Sequence, residues 1–300
     1  MSAGAKWGIG VVIVILLGVA AYFLLRPTTP PPTAPAPAAP QWATSSVIGK
    51  TVQGRDITEY TYGTGPTHIL LVGGMHGGYE WNAVLLAYQV MDYLKANPAS
   101  VPADLSVTVI PSLNADGVYK VTGKEGVFTP ADVSPDPVVD AAGRFNADNV
   151  DLNRNFGCHW QATSTWQNKP VSAGTAAFSE PEAAALRDFV ATDKPVAVVF
   201  WHSASGSVYT SACDHGVLPG TVTAMKTYAT ASGYTPAGLF DAYPITGDSE
   251  GWLASLGIPA ITVEFKTHTS VEFAQNIAGV KALLALYSTA TTIATTTSAK

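Results

Sequence analysis

The sequence predicts an α/β domain, a mixed and mostly parallel sheet with helices on both faces, preceded by one transmembrane helix. Three observations carry that expectation. Short apolar runs of strand type alternate with longer segments of helical period, the pattern of a parallel sheet covered on both faces. Beyond residue 41 there is no second linker and no evident repeat, and roughly 250 residues suffice for one large domain. Residues 7–25 are uncharged and almost wholly apolar between Lys6 and Arg26. That run matches the ~20 residues of a membrane helix and exceeds the usual ~7–15 of a signal-peptide core.

The first element is therefore expected to be an uncleaved signal anchor. Residues 1–6 would form a short cytoplasmic tail and the large domain would stand outside the cell membrane. The charge rule for orientation has little to work on, only the amino terminus and Lys6 against Arg26. Residues 26–41 form a Pro-rich linker holding seven of the 21 prolines, a polyproline-type spacer. The domain then runs over 42–290, and 291–300 is a Thr-rich tail.

Within the domain, residues 47–62 alternate around Gly54 and predict a hairpin. Residues 68–72 read as a buried strand, 81–96 as a helix, 105–110 as a strand and 111–116 as a turn. Residues 117–149 are polar and rich in Gly, Pro and Asp, a loop long enough to be functional. Ser179-Glu180-Pro181-Glu182 has the form of a capping box opening a helix to about residue 192. A buried strand at 196–201, a helix at 218–232, a strand at 260–264 and an amphipathic helix at 271–288 complete the domain. The net charge of −6 and the lack of any basic run argue against a nucleic-acid partner. Two cysteines, Cys158 and Cys213, permit one disulfide in an oxidising compartment, or two buried thiols.

The chemistry gathers at residues 70–80. An apolar strand ends in Gly73-Gly74-Met75-His76-Gly77-Gly78-Tyr79-Glu80, so a tight glycine turn delivers an imidazole and a carboxylate together. Two such ligands suit a catalytic zinc site, which needs a third protein ligand and an open position. His202 ends the strand at 196–201, the kind of place where active-site groups of open α/β sheets collect. The other histidines start a strand or lie in loops.

These residues, with Asn114-Ala115-Asp116-Gly117, Val150-Asp151-Leu152-Asn153-Arg154-Asn155-Phe156, Phe178-Ser179-Glu180-Pro181-Glu182, Trp201-His202-Ser203 and Thr262-Val263-Glu264-Phe265 in order, resemble the zinc carboxypeptidases of the carboxypeptidase A group, bacterial type. The resemblance covers roughly residues 47–288 and implies the α/β/α sandwich of that family. It implies one zinc per chain on His76, Glu80 and His202, with Glu264 as general base. It further implies that Asn153 and Arg154 grip the substrate's terminal carboxylate, Arg144 stabilises the oxyanion, and Tyr243 closes over the substrate. Asp248 and Glu250 fall in the segment that lines the pocket for the terminal side chain, which predicts an affinity for cationic termini. One departure stands out: the family spaces its first ligand pair by two residues, and here Gly77, Gly78 and Tyr79 intervene. The expected activity is a carboxypeptidase acting on peptides or peptidoglycan-derived peptides. A zinc amidohydrolase removing acyl groups from amino acids is the alternative, and an inactive cell-wall peptide-binding module a more distant one.

Overall fold

The structure is a computed structural model that describes residues 42–289. The expected tail at 1–6, anchor at 7–25, linker at 26–41 and Thr-rich tail at 291–300 lie outside the described residues. Among the described residues no helix is long and apolar enough to cross a membrane.

The chain opens with the hairpin β1 (Ala43–Lys50) and β2 (Asp56–Gly63), followed by β3 (Thr67–Val72), α1 (Trp81–Ala96) and β4 (Leu105–Ile110). Next come α2 (Ala115–Thr122), α3 (Pro137–Ala142), the hairpin β5 (Thr163–Trp166) and β6 (Lys169–Ser172), and α4 (Pro181–Asp193). Then follow β7 (Ala197–Ser203), β8 (Ser207–Thr210), β9 (Ala212–Cys213), β10 (Gly216–Val217), α5 (Pro219–Ser232) and β11 (Thr235–Pro236). The last are α6 (Ser249–Ser255), β12 (Ala260–Phe265) and α7 (Phe273–Tyr287). Eight strands form one mixed sheet in the order β1-β2-β4-β3-β7-β12-β8-β11. Its centre, β4-β3-β7-β12, is parallel throughout, and β1, β2 and β8 join antiparallel at its margins.

Strand alternation explains how the sheet is covered. Leu71, Val199, Trp201 and Val263 enter one core with Leu86 and Val90 of α1, Tyr228 of α5 and Leu283 of α7. Leu70, Val72, Val198 and Phe200 point the other way, toward Leu186 of α4 and Leu253 of α6. Since neighbours on a strand face opposite sides, β3 and β7, covered on both faces, read as continuous apolar runs, whereas β4 and β12 alternate, with Ser106 and Thr108 in β4 and Thr262 and Glu264 in β12 on the second face. The same alternation continues to the carboxyl end of β7. There it sends His202 toward the α4/α6 face and Ser203 toward the α1/α7 face.

Two expectations are corrected. The long loop at 117–149 contains helices, because Asn114 caps α2 by accepting from Gly117 N at 2.9 Å and Gly123 ends it at φ 65°. The capping box does not form. Glu180 is the residue before α4 and makes no side-chain cap, while Glu182 is buried and accepts from Val52 N at 3.1 Å and Asn146 Nδ2 at 3.3 Å.

Candidate active site

After β3 the chain turns through Gly74 at φ 67° and Gly77 at φ 48°, then makes one 3₁₀ turn, Gly77–Glu80, before α1 begins. The extra residue between the two expected ligands is taken up in that turn. His76 and Glu80 become i and i+4 neighbours, with His76 Nδ1 2.8 Å from Glu80 Oε1. The turn fits only because its glycines touch their surroundings. A Cβ on Gly77 would sit 2.5 Å from the Gly143 carbonyl oxygen, and one on Gly78 2.5 Å from Val121 Cβ.

His202 completes the group. Its Nδ1 lies 2.9 Å from Glu80 Oε2 and 3.1 Å from His76 Nδ1, and all three side chains are buried. Burial alone would lower the His202 pKa, but the charges of Glu80 and Glu250 outweigh it and push it up to about 10. For Glu80 burial opposes the charges of His76 and His202, which hold the carboxyl well below its usual range. Each group favours a charged neighbour, so the cluster calls for positive charge. Two imidazole nitrogens and a carboxylate within 4.8 Å of one another fit zinc, whose catalytic sites take three such ligands.

Carboxylates also stand behind the rings. His76 Nε2 is 3.5 Å from Asp151 Oδ1, and His202 Nε2 is 3.6 Å from Glu250 Oε1. Outer carboxylates of this kind fix which ring nitrogen faces a metal. Asp151 also accepts from Arg144 Nε at 3.0 Å and Nη2 at 2.8 Å, which orients the guanidinium. That leaves Arg144 Nη1 3.8 Å from Glu80 Oε1, at the cluster.

Glu264 of β12 pairs in register with His202 of β7 and lines the same cavity of about 490 Å³. Burial, then the charge of Glu80, raises its pKa to about 7 against the pull of His202 and Arg144. Asn153, Arg154, Tyr243, Asp248 and Glu250 line that cavity too. Asn153 Oδ1 accepts from Ser249 N at 2.9 Å, so its NH₂ is the group left to donate. Arg154 is steadied by the Thr165 carbonyl at 3.2 Å from Nε and 3.0 Å from Nη2. Tyr243 packs edge-on against Phe240 at 4.8 Å. Asp248 caps α6 through Gly251 N at 2.7 Å. Glu250, expected to meet substrate, has its oxygens engaged by Ser249 Oγ and Thr262 Oγ1, both at 2.9 Å. Cys158 and Cys213 are bonded, with Cα atoms 6.2 Å apart.

The structure thus brings the residues expected as metal ligands, catalytic groups and substrate contacts to one cavity, with Cys158 but not Cys213 at its wall, and adds some that sequence reasoning missed. Asp151 opens a motif already singled out, yet nothing in the sequence showed that it backs His76. Tyr79, Trp166 and His268 also line the cavity, and Tyr79 packs against both of the others, at 5.3 and 4.8 Å.

Residues 35–280 match the family model for zinc carboxypeptidases. A zinc carboxypeptidase of Simulium vittatum is 28% identical over 250 residues, covering 76% of this chain and 80% of that protein. Carboxypeptidase Z of Rattus norvegicus is 32% identical over 130 residues, 39% of this chain and 18% of the relative. Among solved structures, bovine thrombin-activatable fibrinolysis inhibitor superposes with a TM-score of 0.64 at 19% identity, covering 83% of this chain and 92% of that one. Murein-tripeptide amidase from Escherichia coli superposes at 0.53 and 21% identity, covering 86% and 97%. These superpositions show a shared fold.

Proposed function

The chain belongs to the zinc carboxypeptidase family and is a zinc metallocarboxypeptidase, and we propose that it removes the last residue of peptides or cell-wall peptides outside the cytoplasm. The observation that carries this reading is the convergence of His76, Glu80 and His202 with Glu264, Arg144, Asn153 and Arg154 in one cavity.

Held by His76, Glu80 and His202, zinc supplies Lewis acidity that polarises the scissile carbonyl and brings the pKa of water toward ~7. Glu264 takes the proton from the attacking water and passes it to the leaving amine, a task suited to a carboxylate with a raised pKa. Arg144, clamped by Asp151, presents Nη1 where negative charge develops on the carbonyl oxygen. The Asn153 amide and the Arg154 guanidinium hold the terminal carboxylate and so set which bond lies over the cluster. Tyr243 closes over the bound substrate and excludes water. Asp248, near Arg154, and Glu250, behind His202, give that part of the cavity a negative character, which favours a terminal Lys, Arg or diaminopimelate amine. Residues 7–25 anchor the enzyme in the cell membrane.

The test is incubation of the protein with mixed peptides and muropeptides, read by mass spectrometry with and without a chelator. Zinc-dependent loss of one carboxyl-terminal residue is expected. Cleavage of N-acyl amino acids alone would make it an amidohydrolase, and binding without cleavage an inactive module. Recovery in the membrane fraction, lost when residues 1–41 are removed, tests the anchor.

A further inference from the structure

His268 lies outside the machinery described so far, yet its hydrogen bonds form a chain with a fixed direction. Asn82 donates its NH₂ to two carbonyls, Thr267 O at 2.7 Å and Ser270 O at 2.9 Å. A carbonyl can only accept, so the amide cannot be reversed and Oδ1 must face Ser203. Ser203 Oγ donates to that oxygen at 3.1 Å, which uses its one hydrogen. His268 Nδ1, 2.9 Å from the same Oγ, must therefore carry a proton and donate it. In the neutral ring Nε2 is then the acceptor. Among the described residues no hydrogen bond reaches Nε2. Both His268 and Tyr79, which packs on it, line the cavity.

Position supplies the second argument. Asn153 is tied to Ser249 at the start of α6, on the α4/α6 face of the sheet. His268 is tied through Ser203 to Asn82 of α1, on the α1/α7 face. The metal-ligand cluster sits between them, at the carboxyl edge of β3 and β7. A peptide whose terminal carboxylate meets Asn153 and Arg154, and whose scissile carbonyl lies over the cluster, continues toward His268.

We propose that His268 is a specificity-determining residue whose Nε2 accepts a hydrogen bond from an N–H of the peptide upstream of the scissile bond, beside the ring of Tyr79. The enzyme then prefers substrates of at least three residues to acylated single amino acids. This rests on the carboxypeptidase reading.

The test compares wild type with His268→Asn and His268→Gln on a blocked tripeptide and on the N-acyl amino acid with the same terminal residue. An Asn amide nitrogen takes the place of Nδ1 and keeps the donor to Ser203 while deleting the acceptor. In His268→Asn the ratio of kcat/KM, tripeptide over acyl amino acid, falls about 3- to 10-fold, chiefly through KM. His268→Gln, whose amide reaches the place of Nε2, restores part of that ratio. An equal loss on both substrates, or none, overturns the proposal while the carboxypeptidase reading stands. No zinc-dependent release from either substrate by wild type overturns both. Imidazole ¹⁵N shifts provide an independent readout of the zinc-loaded enzyme: an Nδ1–H tautomer is expected, and an Nε2–H tautomer refutes the hydrogen-bond chain.

Discussion

Glu250 stands behind His202, with Oε1 3.6 Å from the ring Nε2, while Nδ1 of the same ring lies 2.9 Å from Glu80. Burial would raise the Glu250 pKa, but His202 outweighs it and holds the carboxyl down to about 2. An acid that by resemblance should read the substrate's side chain also stands against a histidine that could hold zinc. Zinc should be lost on replacing His76, Glu80 or His202 by Ala. In Glu250→Gln and Asp151→Asn zinc should remain with affinity lowered ~10- to 100-fold. Competition against a chromophoric chelator measures this, and wild-type affinity in both variants would show that the outer carboxylates support nothing.

Glu264 must be ionised to take a proton, so kcat/KM should fall as pH drops through its pKa. That pKa is about 7 where the cluster bears no added cation. Zinc charge favours the carboxylate, so the acid limb of the active enzyme should lie below that value. Glu264→Gln should bind zinc normally and lose ~10²- to 10⁴-fold in kcat. A near-normal rate, or an acid limb unchanged in the residual activity, would assign the proton transfer elsewhere.

Burial, then the charge of Glu250, pushes the Asp248 pKa up to about 6. A cationic substrate terminus would relieve that unfavourable charge. Matched peptides ending in Lys, Leu and Glu should rank Lys first. Asp248→Asn should erase roughly 10- to 100-fold of the preference, the value of one charge-assisted bond. A wild-type preference for Leu, or a Lys preference that survives in both Asp248→Asn and Glu250→Gln, removes the electrostatic account.

The Cys158–Cys213 bond joins the chain just after Asn155-Phe156 to β9, beyond His202. Replacing both cysteines by Ser should cost ~2–4 kcal/mol in urea unfolding, since the bond restricts the unfolded chain. Thiol labelling without reductant should find no free thiol before or after denaturation. Two labelled thiols in purified native protein would count against the extracytoplasmic setting as well.

Glu182 is buried, and burial raises its pKa from 4.5 to about 7. Between those values the folded protein binds more protons than the unfolded chain, so this residue lowers stability as pH rises through that window. Glu182→Gln removes the titration. The stability difference between variant and wild type should therefore shift toward the variant by roughly 1–3 kcal/mol from pH 4.5 to 8. Denaturant titrations at the two pH values measure the shift, and a constant difference would mean that Glu182 does not titrate there.

Much of this was legible in the sequence because strand and helix periods are local properties. The 81–96 helix and the 105–110 strand match α1 and β4 to the residue. The convergence of His76, Glu80 and His202, which could hold a metal, was legible because glycines and strand ends mark where side chains can converge. What escaped depends on contacts distant in sequence. Asp151 backs His76 and Glu250 backs His202 only through the fold. His268 looked like an ordinary loop histidine because its partner Ser203 lies 65 residues away. The helix α2 was hidden by Gly117, though Asn114 and Gly123 are readable as its caps. Short β8 and β11 owe their pairing to the sheet margin, and β9 and β10 pair only with each other, none of them through a pattern of its own.

The crowded turn beneath His76 has a bearing on ancestry. Gly77 and Gly78 lie against Gly117, Gly143 and Val121, each filling the space a neighbour's methyl group would need. A lineage moving from two intervening residues to three would have had to clear those places in α2 and after α3 as well. The long spacing should therefore be inherited as a linked set, and small residues at 117 and 143 should track it more faithfully than overall identity does.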